Sequence, residues 1–162
     1  MLLFLDTEFT DFIDIELISI GIVSEDGLHT FYAERNDFRR ESASDFVRTA
    51  VMPHLGQRPR DSLCREELGH RLYGWIHGLP ERVFIACDSA HDRDLLWDAM
   101  YQGRPSNLDP KVVELASLTT VVRFNEAVYR YHLETGAPRH HALHDARALR
   151  VGWMALNQSI NS

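Results

Sequence analysis

The sequence predicts an α/β domain built on a mixed sheet, and three observations carry that expectation. An apolar run, Leu2-Leu3-Phe4-Leu5, leads directly into Asp6-Thr7-Glu8-Phe9 and reads as a buried strand. Two further β-rich runs follow, one across the tight-turn signal Ser24-Glu25-Asp26-Gly27. After them, helical periodicities flank one more apolar strand, so the chain is not an all-helical bundle.

In chain order, Ile15 to Val23 is rich in β-branched residues with polar residues interspersed, and forms the second strand. Leu28 to Ala33 forms the third. Short connections make these three an antiparallel meander, with the acidic first strand expected at the centre of the sheet. Ser44 to Val51 reads as a short helix capped by Ser42 or Ser44 and stopped by Pro53. Asp61 to Gly78 reads as a longer helix, with Leu63, Leu68, Leu72, Trp75 and Ile76 near helical spacing and Gly78 and Pro80 ending it. Arg82 to Cys87 is a strand, with Cys87 a small buried hydrophobe rather than a reactive thiol. Asp92 to Gln102 is a helix, Val112 to Ala116 a short strand, and Phe124 to Thr135 and Ala142 to Asn157 the closing helices.

A chain of 162 residues fits one domain over 1–162, with no repeat, linker or low-complexity segment. The apolar fraction of 44% and charged fraction of 25% are those of a soluble globule. No apolar run approaches the roughly 18 residues of a membrane span, and the opening run lacks the length and basic lead of a signal peptide. Cys64 and Cys87 make no disulfide framework, which points to a reducing cytoplasm. The formal net charge of −7 argues against a protein that coats nucleic acid non-specifically. It is compatible with an enzyme that meets phosphates through bound metal ions. Eight of the seventeen basic residues, all arginine, fall between Arg35 and Arg71. Arginine suits phosphate contacts, so this segment reads as a phosphate-contacting flank, a subunit interface or plain solvated surface.

Side chains alternate along a strand, so Asp6 and Glu8 point the same way. Two acids at the end of a buried strand repel each other and lose hydration, which calls for a cation. A hard divalent ion with oxygen ligands, Mg²⁺ or Mn²⁺, suits them. On a strand ending in a solvated turn they would be ordinary surface acids. Two later stretches add candidates. In Asp88-Ser89-Ala90-His91-Asp92-Arg93-Asp94 a strand runs into a helix, and its acids project past the end of the sheet, where ligands of open α/β sheets bind. Ser89 with Asp92 three residues on is also a capping box. In His140-His141-Ala142-Leu143-His144-Asp145, His140 and Asp145 meet at one site only if His140 lies on the loop before the helix.

Together, Asp6-Thr7-Glu8, Asp92 and His140-x-x-x-x-Asp145 resemble the three exonuclease motifs of the DEDDh family. The string His140-His141-Ala142-Leu143-His144-Asp145-Ala146 is close to that family's His-x-Ala-Leu-x-Asp-Ala signature. The opening Asp-Thr-Glu-Phe with the following Ile-Glu-Leu-Ile-Ser-Ile-Gly-Ile-Val further resembles the RNase AS-type bacterial exoribonucleases. The likeness runs from residue 2 to about 155. The middle motif departs from the pattern: Asp88 stands where the family often has Asn, and His91 where it has an aromatic residue. Asp92 aligns best, with Asp88 and Asp94 in reserve. The resemblance implies a ribonuclease-H-like fold and 3′-5′ hydrolysis of single-stranded RNA at its 3′ end, releasing nucleoside 5′-monophosphates. It implies two divalent ions held by Asp6, Glu8, Asp92 and Asp145, with His140 as general base. It places Thr7, Phe9 and Thr10 against the terminal nucleotide, and it implies a homodimer, with part of the Arg-rich segment expected at or near the interface.

Other readings of the same residues are a proofreading-type DNA exonuclease and a non-catalytic binding module of the same fold. His140 and His144 are also an i, i+4 pair of the kind that binds zinc on a helix. His144-Asp145 is the doublet of HD-type phosphohydrolases, which are all-helical. His29, His54, His70, His77 and His132 read as surface or satisfied histidines.

Overall fold

The computed structural model describes residues 1–157. Its centre is a six-stranded sheet of β1 (Leu2–Phe9), β2 (Leu17–Ser24), β3 (Thr30–Arg35), β4 (Ser62–Leu63), β5 (Val83–Cys87) and β6 (Leu108–Glu114). The spatial order is β4-β3-β2-β1-β5-β6. The meander β1-β2-β3 is antiparallel, and β5 and β6 join it in parallel, so the acidic strand is central as expected. Five helices accompany the sheet: α1 (Asp45–Ala50), α2 (Arg65–His77), α3 (Ala90–Ala99), α4 (Val122–Thr135) and α5 (Ala142–Asn157).

The pleat of β1 sorts its residues between two cores. Leu3 and Leu5 belong to the larger one, with Leu68, Leu72 and Ile76 of α2 and Leu95 and Leu96 of α3. Phe4 turns the other way, onto Phe124 of α4 and Ala146 and Leu149 of α5. All eight residues of β2 are buried because helices cover both faces, so its polar positions do not mark a solvent face.

Gly21 sets the height of α5 over the sheet. A Cβ there would lie 2.2 Å from the backbone nitrogen of Leu143, a distance no side chain tolerates. The first turn of α5 therefore rests on the bare backbone of β2, at the residue paired with Asp6 across the ladder.

Several boundaries differ from the sequence reading, each for a tertiary reason. The expected helix from Asp61 starts only at Arg65. Pro59–Asp61 is a 3₁₀ turn, and Ser62–Leu63 pairs in parallel with Glu34 and Arg35 of β3. The third strand starts at Thr30, leaving Leu28 exposed. The sixth starts at Leu108 rather than Val112. Pro110 disguised it, but this is an edge strand with a register irregularity opposite Val83–Ile85, where proline is tolerated. Ser44 caps α1 as expected, its hydroxyl accepting from Val47 N–H. Helix α3 begins at Ala90 and ends at Ala99. Among the described residues no helix is long and apolar enough to cross a membrane.

Candidate metal-binding site

Three separated stretches meet at the carboxyl end of β1. Asp6 and Glu8 face the α4–α5 side, Asp88 follows the end of β5 and α3 then brings Asp92, and α5 brings Asp145 in its first turn. With Thr7, Phe9, Ser89, Val128, His132, Arg139 and His140 they line one cleft of about 320 Å³.

Within it the acids form two groups. Ligand atoms of Asp6, Asp88 and Asp92 lie within 4.8 Å of one another, as do those of Glu8, His140 and Asp145. In the first group Asp92 is fastened by β1: its Oδ1 accepts from Thr7 N–H at 3.1 Å and from the Thr7 hydroxyl at 2.6 Å. The capping box forms only in part: the Asp92 carboxyl also accepts from the Ser89 backbone N–H. The Ser89 hydroxyl accepts from His91 N–H rather than from Asp92 N–H, and the Asp92 carboxylate reaches both the helix start and the sheet. In the second group Asp145 Oδ2 accepts from His141 N–H at 3.2 Å. Its Oδ1 lies 3.2 Å from His132 Nε2, while His132 Nδ1 reaches Ala137 O.

His140 lies on the loop before α5, the arrangement that lets it reach Asp145. Its φ of 58° is the one positive value at a non-glycine residue among those described. A left-handed backbone at such a residue is held by its surroundings and recurs at functional sites. Its imidazole meets the edge of the Phe46 ring, centroids 4.9 Å apart.

Electrostatically the cleft is strained without a cation. Burial, followed by the charges of Asp92, Asp145, Glu8 and Asp88, raises the Asp6 carboxyl well above its ordinary range. Burial, with Asp145 and Asp92, pushes Glu8 up to about 8, and burial pushes Asp92 up to about 7 against the opposing Thr7 hydrogen bonds. Burial also raises Asp88 and Asp145, the latter against the opposing charge of His132. The Oδ2 of Asp6 is buried with no hydrogen-bond partner. A buried carboxylate oxygen without a donor is costly. Hard divalent cations take such oxygens as ligands, so this donor set fits one.

Most expected site residues converge here and a few do not. Asp88 joins the Asp6 group, whereas Asp94 is exposed and pairs with Arg93. Phe9 lines the cleft, its ring stacked on His91 at 5.4 Å and edged by Phe12 at 5.2 Å. Thr10 lies outside it: its buried hydroxyl donates to Asp14 O and accepts from Glu16 N–H, closing the loop after β1. The helical histidine pair is absent, because α5 starts at Ala142, after His140, and His144 instead bonds Tyr131. The sheet excludes the all-helical alternative. Sequence reasoning missed His132 and Arg139. No local pattern marks His132, since its role arises from α4 packing on α5.

No family model matches the sequence. Curated 3′-5′ exoribonucleases of two Mycobacterium tuberculosis strains are 35% identical to this chain over 157 residues, covering 89% of it and 86% of each relative. A solved structure described as 3′-end specific recognition of a histone mRNA stem-loop by a 3′-exonuclease superposes with a TM-score of 0.63. It shares 14% identity and covers 98% of this chain, which spans 63% of that structure's length. That likeness extends over the whole sheet and its helices, and supports the ribonuclease-H-like α/β architecture.

Proposed function

The chain belongs to the 3′-5′ exoribonucleases of the DEDD superfamily, and from that premise we propose that the cleft hydrolyses single-stranded RNA from its 3′ end. The observation that supports this most is the meeting of Asp6, Glu8, Asp92, Asp145 and His140 in one cleft, from four separate elements or loops. Asp6, Asp88 and Asp92 would hold one divalent ion, and Glu8 and Asp145 a second. Bound there, Mg²⁺ or Mn²⁺ would polarise the phosphodiester, favour deprotonation of a bound water and stabilise the departing oxygen.

The protein's own groups do the rest. The His140 imidazole takes the proton from the attacking water. The water oxygen bonds to phosphorus as the bond to the upstream 3′ oxygen breaks. That oxygen gains a proton, leaving a nucleoside 5′-monophosphate and a shortened RNA with a free 3′-hydroxyl. Thr7 holds Asp92 and His132 holds Asp145, so both ligands are oriented before substrate arrives. Phe9, lining the cleft, and the exposed Phe46, against His140, offer faces for the terminal bases. Stacking of this kind is worth about 1–3 kcal/mol per base. Arg139, beside His140 on the cleft wall, is placed to meet a phosphate.

The protein acts as one domain, as a homodimer and in the cytoplasm, where both cysteines stay free. The test is incubation of 5′-labelled RNA and DNA oligomers with Mg²⁺, Mn²⁺, Zn²⁺ or chelator. Stepwise 3′ shortening of RNA with Mg²⁺ or Mn²⁺ is expected. Shortening of DNA alone would move the reading to a DNA exonuclease, and no cleavage of either to a binding module.

A further inference from the structure

A second pocket lies on the other flank of α5, outside the acidic cleft. Arg58, Arg60, Arg71 and Arg147 converge on it around Tyr32 and Trp75, enclosing about 250 Å³. Four guanidinium groups in one pocket are a local reversal in a chain whose net charge is −7. One buried carboxylate, Asp61, offsets part of it: Arg71 Nη2 lies 3.3 Å from Asp61 Oδ1, and Arg60 Nε 3.9 Å. Among the described residues no carboxylate lies within 4.0 Å of Arg58 or Arg147, and Arg147 is left with the Tyr131 hydroxyl. Unneutralised guanidinium groups at the mouth of a pocket attract oxyanions, and their planar fork grips phosphate at two points.

The pocket is joined to the cleft. His140, on the cleft wall, touches Phe46 of α1, and the next residue, His141, stacks on Tyr32 with ring centroids 4.6 Å apart. The Arg58 guanidinium is also near enough for its charge to act on His141. A path of aromatic and basic side chains therefore leads from the acidic site, over the start of α5, into the arginine pocket. Aromatic faces interleaved with cations are the usual footprint of single-stranded nucleic acid.

We propose that this arginine pocket binds phosphodiester groups of the substrate RNA upstream of the 3′ end in the cleft. The proposal rests on the nuclease reading above, and adds a length-dependent grip to it. Arg58 and Arg147 supply most of that grip, and Arg60 and Arg71, already shared with Asp61, supply less.

The test replaces Arg58 and Arg147 together (R58Q/R147Q) in the full chain, with R60Q as the weaker comparison. Binding of a 5′-fluorescent 20-nucleotide RNA is followed by anisotropy in chelator, across a salt series, so no hydrolysis intervenes. Each lost phosphate contact lowers the slope of log K against log salt by about 0.7 for a single strand. The double variant should therefore lose about 1.4 from that slope and bind on the order of tenfold more weakly near 0.1 M salt. With metal restored, its kcat/KM on the 20-mer relative to a trinucleotide should fall by a similar factor, and R60Q should change both less. An unaltered salt slope and unaltered length ratio would overturn the proposal. So would intact RNA binding accompanied by a change of oligomeric state, which would make this face a contact between copies of the chain. If the wild-type protein hydrolyses no RNA, the nuclease reading fails, while the anisotropy arm still decides whether the pocket holds RNA.

Discussion

The two groups of acids in the cleft are built differently. Asp6, Asp88 and Asp92 sit at the ends of the neighbouring parallel strands β1 and β5 and in the helix that follows β5, with Asp92 locked to β1 by two hydrogen bonds from Thr7. Glu8, His140 and Asp145 span a strand end, a loop and a helix, and His140 is exposed on a left-handed backbone. The first is anchored to the central strand β1 and its neighbour β5. The second depends on how α4, α5 and their loop pack. A rigid, buried group suits holding charge, whereas an open one with an imidazole suits admitting water and moving a proton.

Substitutions should separate these roles. Asp6→Asn, at the member whose carboxyl feels the charges of both groups, should cost at least about 10⁴-fold in kcat, since losing one member of a unit costs nearly as much as losing the unit. Measured turnover of a labelled RNA above that floor would show that the groups act independently. His140→Ala should lower kcat by roughly 10²–10³-fold while metal affinity by calorimetry stays near that of the wild type. A loss of affinity as large as the loss of rate would instead make His140 a ligand. Thr7→Val and His132→Asn act one step back, each weakening metal affinity by about 10–100-fold. Thr7→Val should raise the metal concentration needed for activity without altering the pH profile. His132→Asn changes the group beside Asp145, so similar shifts in both variants would erase the contrast drawn above.

The smallest effect is on stability. Glu8 and Asp92 have folded pKa values of about 8 and about 7, raised above their ordinary 4.5 and 3.8. A carboxyl with a raised folded pKa keeps its proton longer in the native state, so the native state binds more protons and stability falls as pH rises through that interval. In chelator, Tm should therefore decline from about pH 4 to about pH 8. Added Mg²⁺ or Mn²⁺ should raise Tm more at pH 8 than at pH 5, and an equal rise at both would contradict the raised pKa values.

Legibility followed locality. Asp6 and Glu8 were readable because strand period alone puts them on one face, and His140 and Asp145 because a loop followed by a helix start lies in six consecutive residues. Asp92 was ambiguous: Ser89-x-x-Asp92 satisfies the local capping rule, and only the approach of α3 to Thr7 adds the second role that turns the carboxylate toward the sheet. Thr10 sits beside the acids in sequence, yet the bulge after Glu8 and the turn to Glu16 carry it away. His132 lies eight residues from His140 and was invisible for lack of any spacing rule that relates a helix to the loop after the next turn. Strand β4 and the first half of β6 were missed for the same reason, as pairing with a distant edge overrode helix period in one case and proline in the other.

Gly21 has a bearing on how such a site can be found or rebuilt. It touches no ion, proton or nucleotide, yet Asp145 stands opposite Asp6 because a methyl group is missing there. Grafting the reactive side chains onto another scaffold would transplant the chemistry without its ruler. The measure that holds helix and strand at working separation is written as an empty position, and a designer who filled it would keep every functional group and lose their alignment.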